Sequence, residues 1–378
     1  MPRLLPPAVL FALIGAAGLA LPLVQFKANR IVPGEGLGLA ALPQGWIGPV
    51  LGAVLAAACL ARWPAGLRLA AAAGGLVAVV LSLGAAASHL TPEGNDLARV
   101  SPAEGFWLLT LGFGLMLADA VNRLRPSLAL RWLLLAGAVA LATGILASGA
   151  LDGVSVMREY ATRRALFLRE AQAHLALAFG SLGMALLAGI PLGIAIFQAR
   201  RWRGPVLGVL NILQTIPSLA LFGIMIPLLG WVAATVPGAA RAGVSGIGTF
   251  PALVALFLYS LLPVVSNTLA GLSGVPAATR EAAVGLGMTR AQAMAQVLAP
   301  LALPVLLAAV RIVLVQNIGL AVIAGLIGGG GFGTFVFQGL NQTAMDLVLL
   351  GALPTIALAL VAGIALDLLV QGARRGTA

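Results

Sequence analysis

Long apolar runs recur along the whole chain, and this recurrence constrains the fold more than any other feature of the sequence. A helix of about 20 apolar residues crosses the hydrocarbon core of a bilayer. Runs of roughly this kind, bounded by Pro, Gly and charged residues, lie at residues 8–26, 46–61, 69–87, 106–120, 132–150, 175–197, 206–232, 248–270, 301–326 and 347–370. The sequence therefore predicts an all-α, polytopic membrane protein with about ten transmembrane helices.

The charge distribution predicts how these helices are oriented. Only 9% of the residues are charged, against about 25% in soluble domains. Lys and Arg number 22 and Asp and Glu 11, a net charge of +11 that in a soluble chain would suggest nucleic-acid binding. Here most of the arginines lie in short loops, and an N-terminus inside the cell places most of them in the cytoplasm, as the positive-inside rule requires. We expect both termini in the cytoplasm, a lipid bilayer around the spans, and no nucleic-acid partner.

The residue types needed for metal, nucleotide or enzymatic chemistry are sparse. Cys59 is the single cysteine, and His89 and His174 have no companions at metal-ligand spacing. The single lysine, Lys27, does not stand in a Walker A sequence, which requires Gly-Lys followed by Ser or Thr. No Ser/His/Asp or paired-carboxylate arrangement is present. The sequence predicts no cofactor, no metal site and no enzymatic activity in this chain.

The order of the runs divides the chain into three parts. Residues 1–150 form an N-terminal membrane extension of about five helices, residues 151–174 a polar linker, and residues 175–378 a second membrane domain. Within the linker, apolar residues fall on one helical stripe: Val156, Tyr160, Phe167 and Ala171. This stripe favours an amphipathic helix on the outer membrane surface. A solvated linker fits the same residues.

Residues 274–300 form the longest predicted cytoplasmic loop of the second domain and read GVPAATREAAVGLGMTRAQAMAQVLAP. Pro276 suits the first turn of a helix, and Gly287 supplies a left-handed residue that ends it. Thr289 and Gln292 have the spacing of a capping box, which starts a second helix. The pattern predicts two short helices joined at Gly287. An ordinary turn between spans is the alternative.

The amino-acid sequence of this loop resembles a known motif. Glu281-Ala282-Ala283, three residues, Gly287, nine residues and then Val297-x-Ala299-Pro300 resemble the EAA motif of ABC importer permeases. We call residues 274–300 the EAA loop. The region from residue 175 onward is similar to osmoprotectant permeases in four stretches: IPLGIAI at 190–196, LNILQTIPSLALFGIMIPLLG at 210–230, ALFLYSLLPVVSNTLAGL at 255–272 and IGGGGFG at 327–333. The first five spans match a longer subgroup of these permeases.

This resemblance implies a fold, a function and partners. The last five spans would form a type I ABC importer permease core in a bacterial cytoplasmic membrane. The substrates would be osmoprotectants such as glycine betaine, choline, carnitine or proline betaine, with another small solute such as an amino acid as an alternative. A second permease subunit, identical or related, would complete the pathway, and a periplasmic or lipid-anchored binding protein would deliver substrate. Separate ATPase subunits would bind the loop at Glu281, Ala282, Ala283, Gly287 and Pro300.

Polar residues inside spans are candidates for the translocation pathway because each is costly in hydrocarbon. The candidates are Asn211, Gln214, Thr215 and Ser218, which share one face of a helix interrupted by Pro217 and Pro227, and then Tyr259, Asn267, Gln316 and Asn317. Hydrogen bonding between helices is the alternative role for such residues. Arg311 also lies inside a predicted span and needs either a partner or a route to water; we expect it to extend toward the cytoplasm.

A rival interpretation is an ion-coupled secondary transporter built as a five-plus-five inverted repeat. That interpretation requires matching broken helices in both halves and, for proton coupling, carboxylates inside the spans. The first half has no counterpart of the helix that Pro217 and Pro227 interrupt.

Overall fold

The computed structural model describes residues 5–29, 32–59, 63–91, 95 and 97–376. The chain forms two compact units, Met1–Thr162 and Arg163–Ala378. Helices account for most of the described residues, and 8 of the described helices are long and apolar enough to cross a membrane. These observations confirm the predicted α-helical, polytopic membrane fold.

The described residues of the first unit form six α-helices and a small sheet. The helices are α1 Pro6–Ala20, α2 Ile47–Ala58, α3 Ala65–Leu90, α4 Glu104–Leu124, α5 Leu128–Ala147 and α6 Ser155–Thr162. The strands are β1 Pro22–Lys27, β2 Glu35–Gly38 and β3 Arg99–Pro102, and they form an antiparallel sheet in the order β2-β1-β3. The helix α4 packs against α1 and α3, and its side chains Leu109 and Phe113 are fully buried.

The sheet corrects the first predicted span, residues 8–26, which was expected to be helical throughout. Proline lacks an N–H and moves the preceding residue out of the helical conformation. Leu21, which precedes Pro22, accordingly has φ −98° and ψ 162°, and the chain continues as a strand. The helix α1 therefore has 15 residues and α2 has 12, both shorter than the spans that were predicted. The predicted end of the second span at Ala61 lies outside the described residues.

The second unit contains nine described helices. They are α7 Arg164–Gln198, α8 Arg203–Thr215, α9 Ser218–Thr235, α10 Thr249–Ser273, α11 Ala277–Gly285, α12 Arg290–Ala293, α13 Ala299–Leu320, α14 Gly333–Asn341 and α15 Met345–Gly376. A π-helical turn, Met294–Leu298, joins α12 to α13, and short 3-10 helices lie at Arg200–Trp202 and Ile323–Ile327. The helix α10 lies at the centre, packed against α7, α8, α9 and α13. The helix α13 also contacts α15, which in turn contacts α14.

A further prediction about helices was wrong. Residues 152–174 do not form one amphipathic helix, because the chain breaks at Arg163 (φ −121°, ψ 21°) between α6 and α7. The second half of that segment is the beginning of α7, a helix of 35 residues. The predicted interruption of span 206–232 is found at Pro217, which separates α8 from α9, whereas Pro227 lies inside α9.

The two units also differ in architecture. The first contains a three-stranded sheet, whereas the described residues of the second contain no strand. An inverted repeat requires the same helices in both halves. The five-plus-five interpretation therefore does not agree with the structure.

Candidate coupling loop and membrane-embedded polar groups

The EAA loop folds as two short helices around Gly287. The helix α11 starts after Pro276, and Gly287 has φ +76°, a left-handed conformation that favours glycine. Thr289 then begins α12 through a capping box: its hydroxyl accepts the Gln292 N–H (3.3 Å), and the Gln292 side chain accepts the Thr289 N–H (2.8 Å). These contacts confirm the predicted helix pair and its caps.

The exposed surface of this loop is more apolar than the motif indicated. Glu281 and Ala282 are exposed, as expected for a docking surface. Ala283 was expected on the same surface but is buried (3% exposed), because it lies on the inner face of α11. Val284 (69% exposed) and Leu286 (79% exposed) take its place on the outside. Sequence reasoning missed these two residues, although two large apolar side chains in a loop expected to face water are a signal for a contact surface.

An open groove runs beside α11. It has a volume of about 600 Å³ and is lined by Arg200, Ala277, Arg280, Glu281, Val284 and Gly285. Arg200 comes from the turn after α7, so the groove joins the loop to a second span of the same unit. The groove combines two cations, one anion and one exposed apolar side chain, which suits contact with another protein's surface.

The EAA loop packs against the adjoining ends of α10 and α13. Leu298, in the π-helical turn, is buried and packs with Leu272 near the end of α10, with Val275 after that helix and with Ala302 of α13. Pro300 is exposed in the first turn of α13. Packed side chains therefore connect the loop to α10 and α13.

The predicted pathway residues around Pro217 lie at a helix break. Asn211 and Thr215 are exposed on α8, while Ser218 begins α9 and so does not continue the same helical face. Gln214 and Tyr259 hold the break: the Gln214 amide donates to the Tyr259 carbonyl (2.8 Å), and the Tyr259 hydroxyl donates to the Ile216 carbonyl. These two hydrogen bonds between α8, α10 and the residue before Pro217 stabilise the break.

The candidates on α10 and α13 fall into two groups. The half-buried Asn267 donates to the Pro263 carbonyl of its own helix (2.7 Å), and Gln316 is also half-buried. Asn317 is fully buried, and its amide donates to Ser181 (2.8 Å) and Ser260 (2.9 Å). The expectation that Asn317 lines the pathway does not agree with this burial. Its contacts join α7, α10 and α13, which is the interhelical role considered as the alternative.

Arg311 was expected to extend toward the cytoplasm without a protein partner. It instead forms an ion pair with Asp367 of α15. Asp367 lies inside α15, which continues to Gly376.

A polar cluster that the sequence did not indicate binds the Gly-rich stretch at residues 327–333 and Thr334 through hydrogen bonds. Glu170, 5% exposed, accepts the Gly331 N–H (2.7 Å) and the Thr334 hydroxyl (3.2 Å). His174 Nδ1 accepts the Phe332 N–H at 3.4 Å. Gly331 has φ +86°, which turns its N–H toward α7. Glu170 was interpreted as part of a surface linker, and its contact crosses 161 residues of sequence, so no local pattern could reveal it.

We expect Glu170→Ala to destabilise this part of the second unit by about 1–3 kcal/mol, because a buried N–H then loses its acceptor. The matched variant Glu170→Gln keeps one acceptor oxygen and should lose less. The midpoint of thermal unfolding of the purified permease in detergent measures both. Equal midpoints for Glu170→Ala and the wild type would contradict the role of this carboxylate.

Comparison with known proteins identifies the second unit. Residues 185–375 match the family described as binding-protein-dependent transport system inner membrane component. The chain belongs to this family. Residues 4–157 match the model described as the N-terminal domain of the ABC transporter permease YehY. Family membership confirms the resemblance to ABC importer permeases that the EAA motif indicated.

Relatives of this inner membrane component family give more detail. The osmoprotectant import permease protein OsmW of Salmonella typhimurium is 42% identical over 188 residues, which cover 50% of this chain and 82% of that protein. The choline transport system permease protein OpuBB of Bacillus subtilis is 37% identical over 188 residues, covering 50% and 79%. A solved structure of the MetNI methionine ABC transporter in an inward-facing conformation is 26% identical, covers 56% of this chain and 97% of that chain, and has a TM-score of 0.48.

Proposed function

We propose that this chain is the permease subunit of an ATP-driven importer of osmoprotectants such as glycine betaine and related quaternary ammonium compounds. It lies in the bacterial cytoplasmic membrane with both termini in the cytoplasm. A periplasmic or lipid-anchored binding protein delivers the solute, and a second permease subunit, identical or related, completes the pathway. ATP is hydrolysed by separate subunits, so this chain itself is not an enzyme.

The observation that carries this proposal is the exposed surface of the EAA loop. Glu281, Val284 and Leu286 project from a rigid, capped helix pair whose inner side is packed against α10 and α13. Exposed apolar side chains next to charges are typical of a surface that another protein covers. The EAA loop is proposed to bind the ATPase and to pass its closure to the spans, with Glu281, Ala282, Gly287 and Pro300 at or near the contact and Ala283 supporting it from below.

The pathway is proposed to pass the break between α8 and α9. Asn211, Thr215 and Ser218 are proposed to contact the solute there, together with Asn267 and Gln316 on the neighbouring spans. Gln214 and Tyr259 fix the geometry of the break through the hydrogen bonds between them and to Ile216.

The experiment that tests the proposal introduces a charge into the exposed apolar surface. We expect Val284→Asp to lower both co-purification of the ATPase and ATP-dependent uptake of labelled glycine betaine at least tenfold. Val236→Asp, which changes an exposed apolar residue (48%) after α9, is the matched control and should retain both. Uptake that persists without ATP and stops when the ion gradient is collapsed would contradict the proposal and favour a secondary transporter.

A further inference from the structure

The ion pair between α13 and α15 leaves hydrogen-bond donors of Arg311 available to a ligand. Arg311 Nη1 donates to one carboxylate oxygen of Asp367, and the Gln371 amide donates to the other oxygen at 2.7 Å. The Nε and Nη2 atoms of Arg311 donate no hydrogen bond to the residues that the structure describes. The carboxylate of Asp367 is thus engaged on both oxygens, while most of the Arg311 fork is available.

This pair lies within two apolar helices that are long enough to span a membrane. The ten residues before Arg311, residues 301–310, are all apolar, and Arg311 follows the start of α13 by about 18 Å at 1.5 Å per residue. Asp367 lies about 14 Å before the end of α15 at Gly376. One turn deeper the helices touch, since a Cβ at Gly363 would lie 3.3 Å from Val315. Both charges therefore belong to helical segments, Arg290–Leu320 and Met345–Arg374, that are long and apolar enough to cross a membrane.

Within a span, the exposure of the Arg311 and Asp367 side chains indicates a space filled by water or by a ligand. The side chains of Arg311 and Asp367 are 39% and 41% exposed in the single chain. Ionisable groups inside spans are costly against lipid and face the interior of a bundle or an aqueous cavity. The face of α13 and α15 that carries them therefore belongs beside the translocation pathway.

We propose that Arg311 binds the carboxylate group of a zwitterionic osmolyte as it crosses the membrane, with Asp367 as the residue that positions the guanidinium. This inference rests on the proposed function and names the substrate class more narrowly. A guanidinium fork binds carboxylates through parallel N–H bonds, which a lysine ammonium cannot reproduce. Asp367 makes the pair neutral, so a quaternary ammonium group on the same solute is not repelled. Solutes with a carboxylate, such as glycine betaine, are favoured at this site over choline, which has none.

The test compares uptake of labelled glycine betaine and labelled choline by the complete transporter in membrane vesicles supplied with ATP. Arg311→Gln combined with Asp367→Asn removes both charges without leaving one unpaired. We expect the ratio of glycine betaine uptake to choline uptake to fall at least tenfold, the loss typical of one charged hydrogen-bonded contact. Arg311→Lys keeps the positive charge but loses the planar guanidinium, so its uptake ratio should lie between those of the wild type and the double variant.

The matched control removes another ion pair, Arg123 with Asp119 in α4, whose atoms are 2.6 Å apart. Arg123→Gln with Asp119→Asn should leave the ratio unchanged. An unchanged ratio in the Arg311 variants, with uptake either intact or lost equally for both solutes, would overturn the inference and leave the proposed function standing. If the wild type takes up glycine betaine alone, an undiminished rate in Arg311→Lys would overturn it. Failure of the wild type to take up either solute would overturn the proposed function, and this inference with it.

Discussion

Replacing Gly287 with valine is expected to abolish solute uptake and association with the ATPase together. Gly287 has φ +76°, and no atom lies within 4 Å of where a Cβ would stand, so the cost of the substitution comes from the backbone conformation alone. A left-handed conformation costs an ordinary L-residue about 1–2 kcal/mol, and a β-branched residue more. Relief of that strain requires a different angle between α11 and α12, which moves Glu281 and Val284 away from the surface they are proposed to present.

The measurement is co-purification of the ATPase with the permease, made beside ATP-dependent uptake of glycine betaine. Gly238→Val is the matched control: Gly238 has φ +85°, equally open surroundings and a position after α9, away from the EAA loop. It carries the same strain and should keep the ATPase bound. Gly287→Asn should retain part of the activity, because asparagine tolerates this conformation better. Full uptake by Gly287→Val would show that the loop conformation does not matter for coupling.

The EAA loop was predictable because its signals are local. Pro276, Gly287 and the Thr289–Gln292 capping box each act on backbone groups within four residues, so the sequence alone contains the information. The apolar runs were equally informative about membrane spans, since one helix satisfies its own backbone hydrogen bonds in lipid. These features allowed the fold class and the helix pair to be predicted.

Features that depend on partners distant in sequence were not predictable. The strand β1 forms because β2 and β3 supply its hydrogen bonds, and its apolar residues resemble the end of a helical span. The break at Arg163 has no proline or glycine to mark it. Glu170 contacts Gly331, and Arg311 contacts Asp367, over separations of 161 and 56 residues.

The sequence pattern also could not predict which residues of a short helix are buried. The motif marks Ala283 as part of the coupling surface, yet which side of α11 faces outward depends on how the loop packs on α10 and α13. Asn317 shows the same limit inside the membrane. A polar residue in a span either lines a cavity or bonds to another helix, and only the positions of Ser181 and Ser260 decide between the two.

Gly333→Ala is expected to be the most destabilising single-methyl addition in the segment from the end of α13 to the start of α14. The Cβ of an alanine at Gly333 would overlap the carbonyl oxygen of Val322, which accepts the Gly325 N–H at 3.1 Å. The carbonyl cannot move aside without weakening that hydrogen bond. Because the added methyl group meets a backbone carbonyl rather than a movable side chain, we expect a cost at the upper end of overpacking effects, about 3 kcal/mol.

The measurement is the midpoint of thermal unfolding of the purified permease, with Gly319→Ala as the matched control. Gly319 lies near the end of α13 with no atom within 4 Å of its Cβ position, so alanine there should be neutral or stabilising by up to about 1 kcal/mol. The two variants add the same methyl group 14 residues apart, so a difference between them isolates the close approach of the backbone at Gly333. Gly333 adjoins the segment whose backbone N–H groups at Gly331 and Phe332 bond to Glu170 and His174 of α7. Equal unfolding midpoints for Gly333→Ala and Gly319→Ala would contradict a destabilising clash at Gly333.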